Sequence, residues 1–184
     1  MNKPARDFLT ALLLTLPVVP TMAQADTGWF THPFGELRSY NGDFLNVCSD
    51  GGAGACRTVN HVLEAGDSFY GTSRLALHRV DGGWAIELWD QDLPFDITQP
   101  FDLSVDGRAI AIDAADWSEI SPDGVRVAQT QSILDPVVAA PLVDAIRRGF
   151  FLTVDHEAGQ SVFSLRGLIA AQSAIEYHLG RMTK

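Results

Sequence analysis

Cys48 and Cys56 are the only cysteines of this 184-residue chain, and Gly51, Gly52 and Gly54 lie between them. Glycines allow the insert to fold back tightly enough for two sulfurs eight positions apart to meet. There is no C-x-x-C and no histidine at ligand spacing beside them, which favours a structural disulfide over a metal or redox pair, with two free thiols as the alternative. A ring this small stabilises by about 2.5 kcal/mol at most. Asp90, Asp92 and Asp96, around the Leu93–Pro94 break, offer several oxygens from one loop, as a hard cation such as calcium requires. The EF-hand spacing and its terminal Glu are absent, so a solvated acidic loop is the expectation and a divalent-cation module the alternative. His32, His61, His78, His156 and His178 never fall at i, i+4 spacing. The glycines at 51–54 are not followed by the Lys and Ser or Thr of a phosphate loop. No metal site and no cofactor is expected.

A serine nucleophile is the one catalytic option. Gly66, Asp67 and Ser68, after Val62 and Leu63, have the form of the first block of the Gly-Asp-Ser hydrolases, in which Ser68 would be activated by a histidine and its orienting carboxylate. None of His78, His156 or His178 has an Asp three positions upstream, and a turn built of Gly, Asp and Ser accounts for the same residues. Binding therefore takes precedence over catalysis. Trp84 and Trp89 have opposite parity on one strand; with Trp84 inward, Trp89 faces out and joins Asp90, Asp92 and Asp96 as a candidate binding surface. The alternative places Trp89 under the loop 90–100.

These residues sit on a strand-rich framework. From Glu36 to Leu134 the apolar pattern has period two, as in Phe44, Asn46, Cys48 against Leu45, Val47, and in Trp84, Ile86, Leu88. Asp81–Gly83 and Asp106–Gly107 suit hairpin turns, and Pro122–Gly124 marks a third turn before Val125 and Val127. Strands joined by tight turns give an antiparallel sandwich or open barrel. Two helices interrupt the period. One starts at an Asp135 N-cap with Pro136 at the first helical position, carries Val138, Leu142, Val143 and Ile146 inward, has Pro141 in its middle, and ends at Gly149. The other is capped by Ser164, buries Leu165, Leu168, Ile169, Gln172, Ile175 and Leu179 along one face, and ends at Gly180. Between them, Phe150–Val154 and Val162–Leu165 flank a turn at His156–Gly159 that exposes His156.

The N-terminus has the form of a secretory signal peptide over 1–25. Lys3 and Arg6 precede an apolar run from Phe8 to Val19, and Ala23-Gln24-Ala25 offers a small-x-small cleavage site after Ala25, with an uncleaved anchor as the alternative. The run is shorter than the roughly 20 residues that span a bilayer, so no transmembrane anchor is expected. Export puts the protein in the periplasm or outside the cell, where disulfides persist. Residues 26–184 then form a single β-rich domain. The whole chain carries a formal charge of −10, and cleavage would remove two cations against one anion. Nucleic acid is thus excluded as a partner and an anionic lipid surface disfavoured, because both demand clustered cations.

Several short motifs point to a family. Gly42-Asp43-Phe44 three residues before Cys48 resembles the Gly-Asp-Trp-x3-Cys opening of the invasion-associated locus B family, with Cys56 as the partner cysteine and Phe44 at the Trp position. Leu93-Pro94 and Leu103, Val105, Asp106, Gly107 are similar to its middle region, and Phe163-Ser164-Leu165-Arg166-Gly167 to its closing Phe-Ser-Leu-Lys-Gly segment. The chain lacks a second cysteine pair after Cys56, and it also resembles a related group of uncharacterised periplasmic proteins with an early cysteine pair and a late Ser-Leu-x-Gly helix. The resemblance implies a secreted β-rich envelope protein and supplies no catalytic residue; binding to an unknown envelope or host protein is the expected role.

Overall fold

The computed structural model describes residues 28–62, 71–93, 101–124 and 128–182. The leader 1–25, Gly66 to Ser68, Pro94, Asp96 and the strand expected at Val125 and Val127 lie outside them. Eleven strands are described: β1 (Phe30–Thr31), β2 (Leu37–Asn41), β3 (Phe44–Cys48), β4 (Cys56–Val62), β5 (Ser73–Val80), β6 (Gly83–Asp90), β7 (Asp102–Val105), β8 (Arg108–Ile110), β9 (Thr130–Ile133), β10 (Phe151–His156) and β11 (Gly159–Ser164). With them come helices α1 (Pro136–Arg148) and α2 (Leu168–Met182). The strands form two antiparallel sheets, seven in the order β1-β2-β3-β4-β5-β6-β9 and four in the order β11-β10-β7-β8. The expected sandwich-like β fold with a C-terminal helix is the fold observed.

One core joins all layers. Phe44, Leu75, Leu77, Ile86, Leu88 and Ile133 from the large sheet meet Leu103, Leu152, Val154 and Phe163 from the small one, with Leu142 and Ile146 of α1 and Leu168 and Ile175 of α2. Alternation decides which residues enter it: in β6 the even positions Trp84, Ile86 and Leu88 face this core, leaving Ala85, Glu87 and Trp89 on the opposite face. The hairpin at Asp106–Gly107 has both residues in the left-handed region, at φ 51° and 76°, as the right-handed twist of paired strands favours.

Helix α1 begins and ends where its caps place it. The Asp135 carboxylate accepts from Val137 N at 2.8 Å, Pro136 occupies the first position, and Gly149 follows the last. Pro141 does not interrupt it, because burial of Ala139, Leu142, Val143 and Ile146 outweighs one lost hydrogen bond.

Three expectations are corrected. Helix α2 is not capped by Ser164, which ends β11 and bonds Asp43 instead, and the helix continues through Gly180 to Met182. Ile169 is 53 % exposed, since the buried face of α2 runs through Leu168, Ala171, Gln172 and Ile175. His156 is buried, because β10 extends to it and it shares the inward parity of Leu152 and Val154.

Candidate functional sites

The described members of the predicted binding surface, Trp89, Asp90 and Asp92, do not come together as one surface. Trp89 faces outward as its parity requires, but it is only half-exposed, with the Arg74 guanidinium 5.8 Å from its ring centre. Asp90 turns the other way, into the interior. Its Oδ2 accepts from Ser73 Oγ at 2.8 Å and from Ser161 Oγ, the two hydroxyls are 2.5 Å apart, and His156 Nε2 lies 3.7 Å away. All four residues are buried. Asp92 is exposed and its backbone N donates to Asp90 Oδ1 at 2.9 Å, so the two carboxylates diverge.

This cluster holds serine, histidine and aspartate without the order a nucleophile needs. A catalytic serine donates to the histidine and the histidine to the carboxylate. Here both serines donate to the aspartate itself, while His156 Nδ1 has no hydrogen-bond partner. Ser73 and Asp90 come from the large sheet and His156 and Ser161 from the small one, so the cluster works as a polar rivet between sheets. Ser68 lies outside the described residues.

Cys48 and Cys56 are bonded, facing each other across β3 and β4 with Cα atoms 4.1 Å apart. His178 on α2 has a ring nitrogen within 4.8 Å of the sulfurs, yet neither sulfur is a thiolate in this bond, so the trio offers no metal site in the oxidised protein. His178 Nε2 lies 2.8 Å from Gly52 O, which ties the helix to the disulfide corner.

Two other places carry more chemical potential. The first is the outward face of the large sheet. Registration places Val59 opposite Ala76 at its centre, with Arg57 opposite His78 on one side and His61 opposite Arg74 on the other. Long side chains thus ring two short ones, and Arg57, Val59, His61 and Arg74 of this set line a hollow of about 410 Å³. Glu87, opposite Ala76 on β6, is buried on this face; its Oε1 bonds Arg74 at 2.6 Å, Ser121 Oγ donates to its Oε2 at 2.5 Å, and His78 Nε2 stands 3.4 Å from that oxygen. Burial alone would raise the Glu87 pKa, but His78, Ser121 and Arg74 together outweigh it and hold the carboxyl at about 2. His61 is also lowered, below the usual imidazole range, by partial desolvation first and then by the charges of Arg74 and Arg57.

The second place is the end of the molecule where α1, β10 and α2 converge. Phe150, Phe151 and Ile169, at 75 %, 52 % and 53 % exposure, surround a hollow of about 750 Å³ flanked by Arg147, Arg148 and Arg166. The Gly42-Asp43 turn and the Ser164–Gly167 segment meet at its edge. Gly42 and Gly167 pack backbone to backbone, Asp43 N donates to Arg166 O at 3.0 Å, and the Asp43 carboxylate receives Ser164 Oγ at 2.6 Å and the Arg166 guanidinium. Arg166 and then Ser164 hold the Asp43 pKa below its ordinary value.

Sequence reasoning singled out neither place. Basic residues on alternate positions around a small one, in Arg57-x-Val59-x-His61 and again in Arg74-x-Ala76-x-His78, are the signal for the first. Phe150 and Phe151, next to Arg147 and Arg148, are the signal for the second.

No protein-family model, curated protein or solved structure matches the chain. Fold and sites define it as a two-sheet antiparallel β domain with a buried polar rivet and two hollows on its surface. Among the described residues no helix is long and apolar enough to cross a membrane.

Proposed function

We propose that the protein is exported to the bacterial envelope and acts there by binding an acidic, partly apolar segment of another envelope or host protein. The exposed cluster of Phe150, Phe151 and Ile169 carries this reading, because a folded surface rarely leaves large apolar side chains together without a partner. Charge complementarity selects the partner. Arg38, Arg74, Arg79 and Arg166 each hold a carboxylate, whereas Arg147 and Arg148 hold none among the described residues, so this end is locally cationic on a chain of charge −10. The leader-like N-terminus and the resemblance to the invasion-associated locus B family support the location.

The test places a photo-crosslinking side chain at Phe150 and, for comparison, at Val137, which is 77 % exposed on α1. The expected result is one discrete protein adduct from position 150 in the envelope, lost when Arg147 and Arg148 are both changed to Glu. The same adducts at both positions would overturn the reading. So would binding of the purified protein to phosphatidylglycerol vesicles that depends on Phe150 and Arg148, which would make the partner a membrane.

A further inference from the structure

The ringed hollow on the outward face of the large sheet is separate from the end surface, and its charges are arranged unequally. Glu36 is tied to Arg38 and Glu87 to Arg74, while Asp123 stands at the rim. Arg57 has no carboxylate partner among the described residues and is only half-buried. It points into the same hollow as Arg74, over a floor that includes Val59 and Leu45. Arg74 cannot swing away, because its guanidinium is bonded to buried Glu87 and lies against Trp89. The guanidiniums of Arg38 and Arg74 are thus fixed and that of Arg57 is uncommitted among the described residues, with an imidazole beside them on the same face. We infer that this hollow binds a small anion bearing a carboxylate or phosphate group, held between Arg57 and Arg74 with His61 alongside.

Planar guanidiniums recognise such groups through paired hydrogen bonds, and a partly desolvated setting strengthens them. The His61 pKa is lowered first by desolvation and then by the charges of Arg74 and Arg57, and that second contribution marks the cationic field an anion would meet. The volume of about 410 Å³ admits a compact organic acid or phosphate ester and excludes a folded partner.

The experiment is a nuclear magnetic resonance titration of the folded protein with inorganic phosphate, with succinate, and with chloride at matched ionic strength. Phosphate or succinate should give saturable shifts centred on the Arg57 and Arg74 side chains and the His61 ring, and the tighter of the two identifies the group recognised. Arg57→Gln should weaken that binding roughly tenfold to a hundredfold, the loss of one charge-assisted contact. Arg148→Gln, on the end surface, should leave it unchanged. The Arg57 side chain makes no hydrogen bond or ion pair among the described residues, so its variant should fold; His61→Gln provides a second, independent loss of affinity. Linear shifts indistinguishable from those with chloride, or equal affinity in Arg57→Gln, would overturn the inference without touching the end surface.

Discussion

Gly167→Ala should be far more damaging than its size suggests. A Cβ at this position would meet Asn41 O, with Asn41 C at 2.7 Å and the Gly42 Cα at 2.9 Å, all of it backbone that cannot rotate aside. The residue also has φ +94°, outside the range L side chains adopt comfortably. The conformational penalty is about 1 to 3 kcal/mol, and opening the joint between strand turn and helix adds about 1 to 3 kcal/mol of overpacking strain. Reduced entropy of the unfolded chain returns about 0.4 to 1 kcal/mol. The net loss is about 3 kcal/mol, which for a domain of this size lowers Tm by roughly 6 to 12 °C. Gly107→Ala is the control. It has φ +76° but nothing within 4 Å of its Cβ, so it should lose only about 1 kcal/mol from the conformational term. Calorimetric melts of both variants separate the terms. Equal losses would refute the claim that Gly42 and Gly167 are glycines because two backbones must touch.

Two further outcomes follow from buried polar groups. The Glu87 pKa is depressed to about 2 from 4.5, so its contribution is fully present above pH 4.5 and is lost as pH falls toward 2. That contribution is roughly 3 kcal/mol, so urea midpoints of the wild type should drop across this window more steeply than those of Glu87→Gln, which starts less stable at pH 7; parallel curves would show that Glu87 is not the titrating group. Asp90→Ala should cost about 1 to 3 kcal/mol by chemical denaturation, since the Ser73 and Ser161 hydroxyls keep each other but lose their shared charged acceptor between the sheets, and Asp90→Asn should recover part of the loss; a change below about 0.5 kcal/mol for Asp90→Ala would mean the rivet carries no stability.

What could be read from the sequence was whatever is decided locally. Asp135, Pro136 and Gly149 bound α1 because caps act within one turn, and Trp84 against Trp89 follows from the pleat. The disulfide was legible because only two cysteines exist. The start of α2 was not, because Arg166 and Gly167 obey a contact with Asn41 and Gly42 from the far end of the chain. His156 was missed for a smaller reason: extending β10 by two residues turns a presumed turn residue into an inward one. Asp90 was read as surface because an acidic residue beside a loop ordinarily is, and only the small sheet, through Ser161 and His156, gives it a reason to face inward.

The ringed hollow needed more than any single strand could say. Each of β4 and β5 shows a basic residue, a small one and another basic residue on one parity, but that pattern becomes a ring only if Val59 falls opposite Ala76. A slip of one residue would turn these side chains into the core, where unpaired charges cannot be accommodated, so the charges themselves help fix the register. The ring then needs a wall. The segment after Trp117 pairs Ser118 with Ser132 at the sheet edge and turns back to set Ser121 on Glu87, burying a carboxylate on a face that would otherwise be solvated. Burial of Glu87 anchors Arg74, while Arg57, diagonal to it across β4 and β5, has no carboxylate partner among the described residues and can take an outside anion. The stability test on Glu87 and the anion titration therefore probe one arrangement from opposite sides: if Glu87→Gln releases Arg74, phosphate or succinate affinity should change with it.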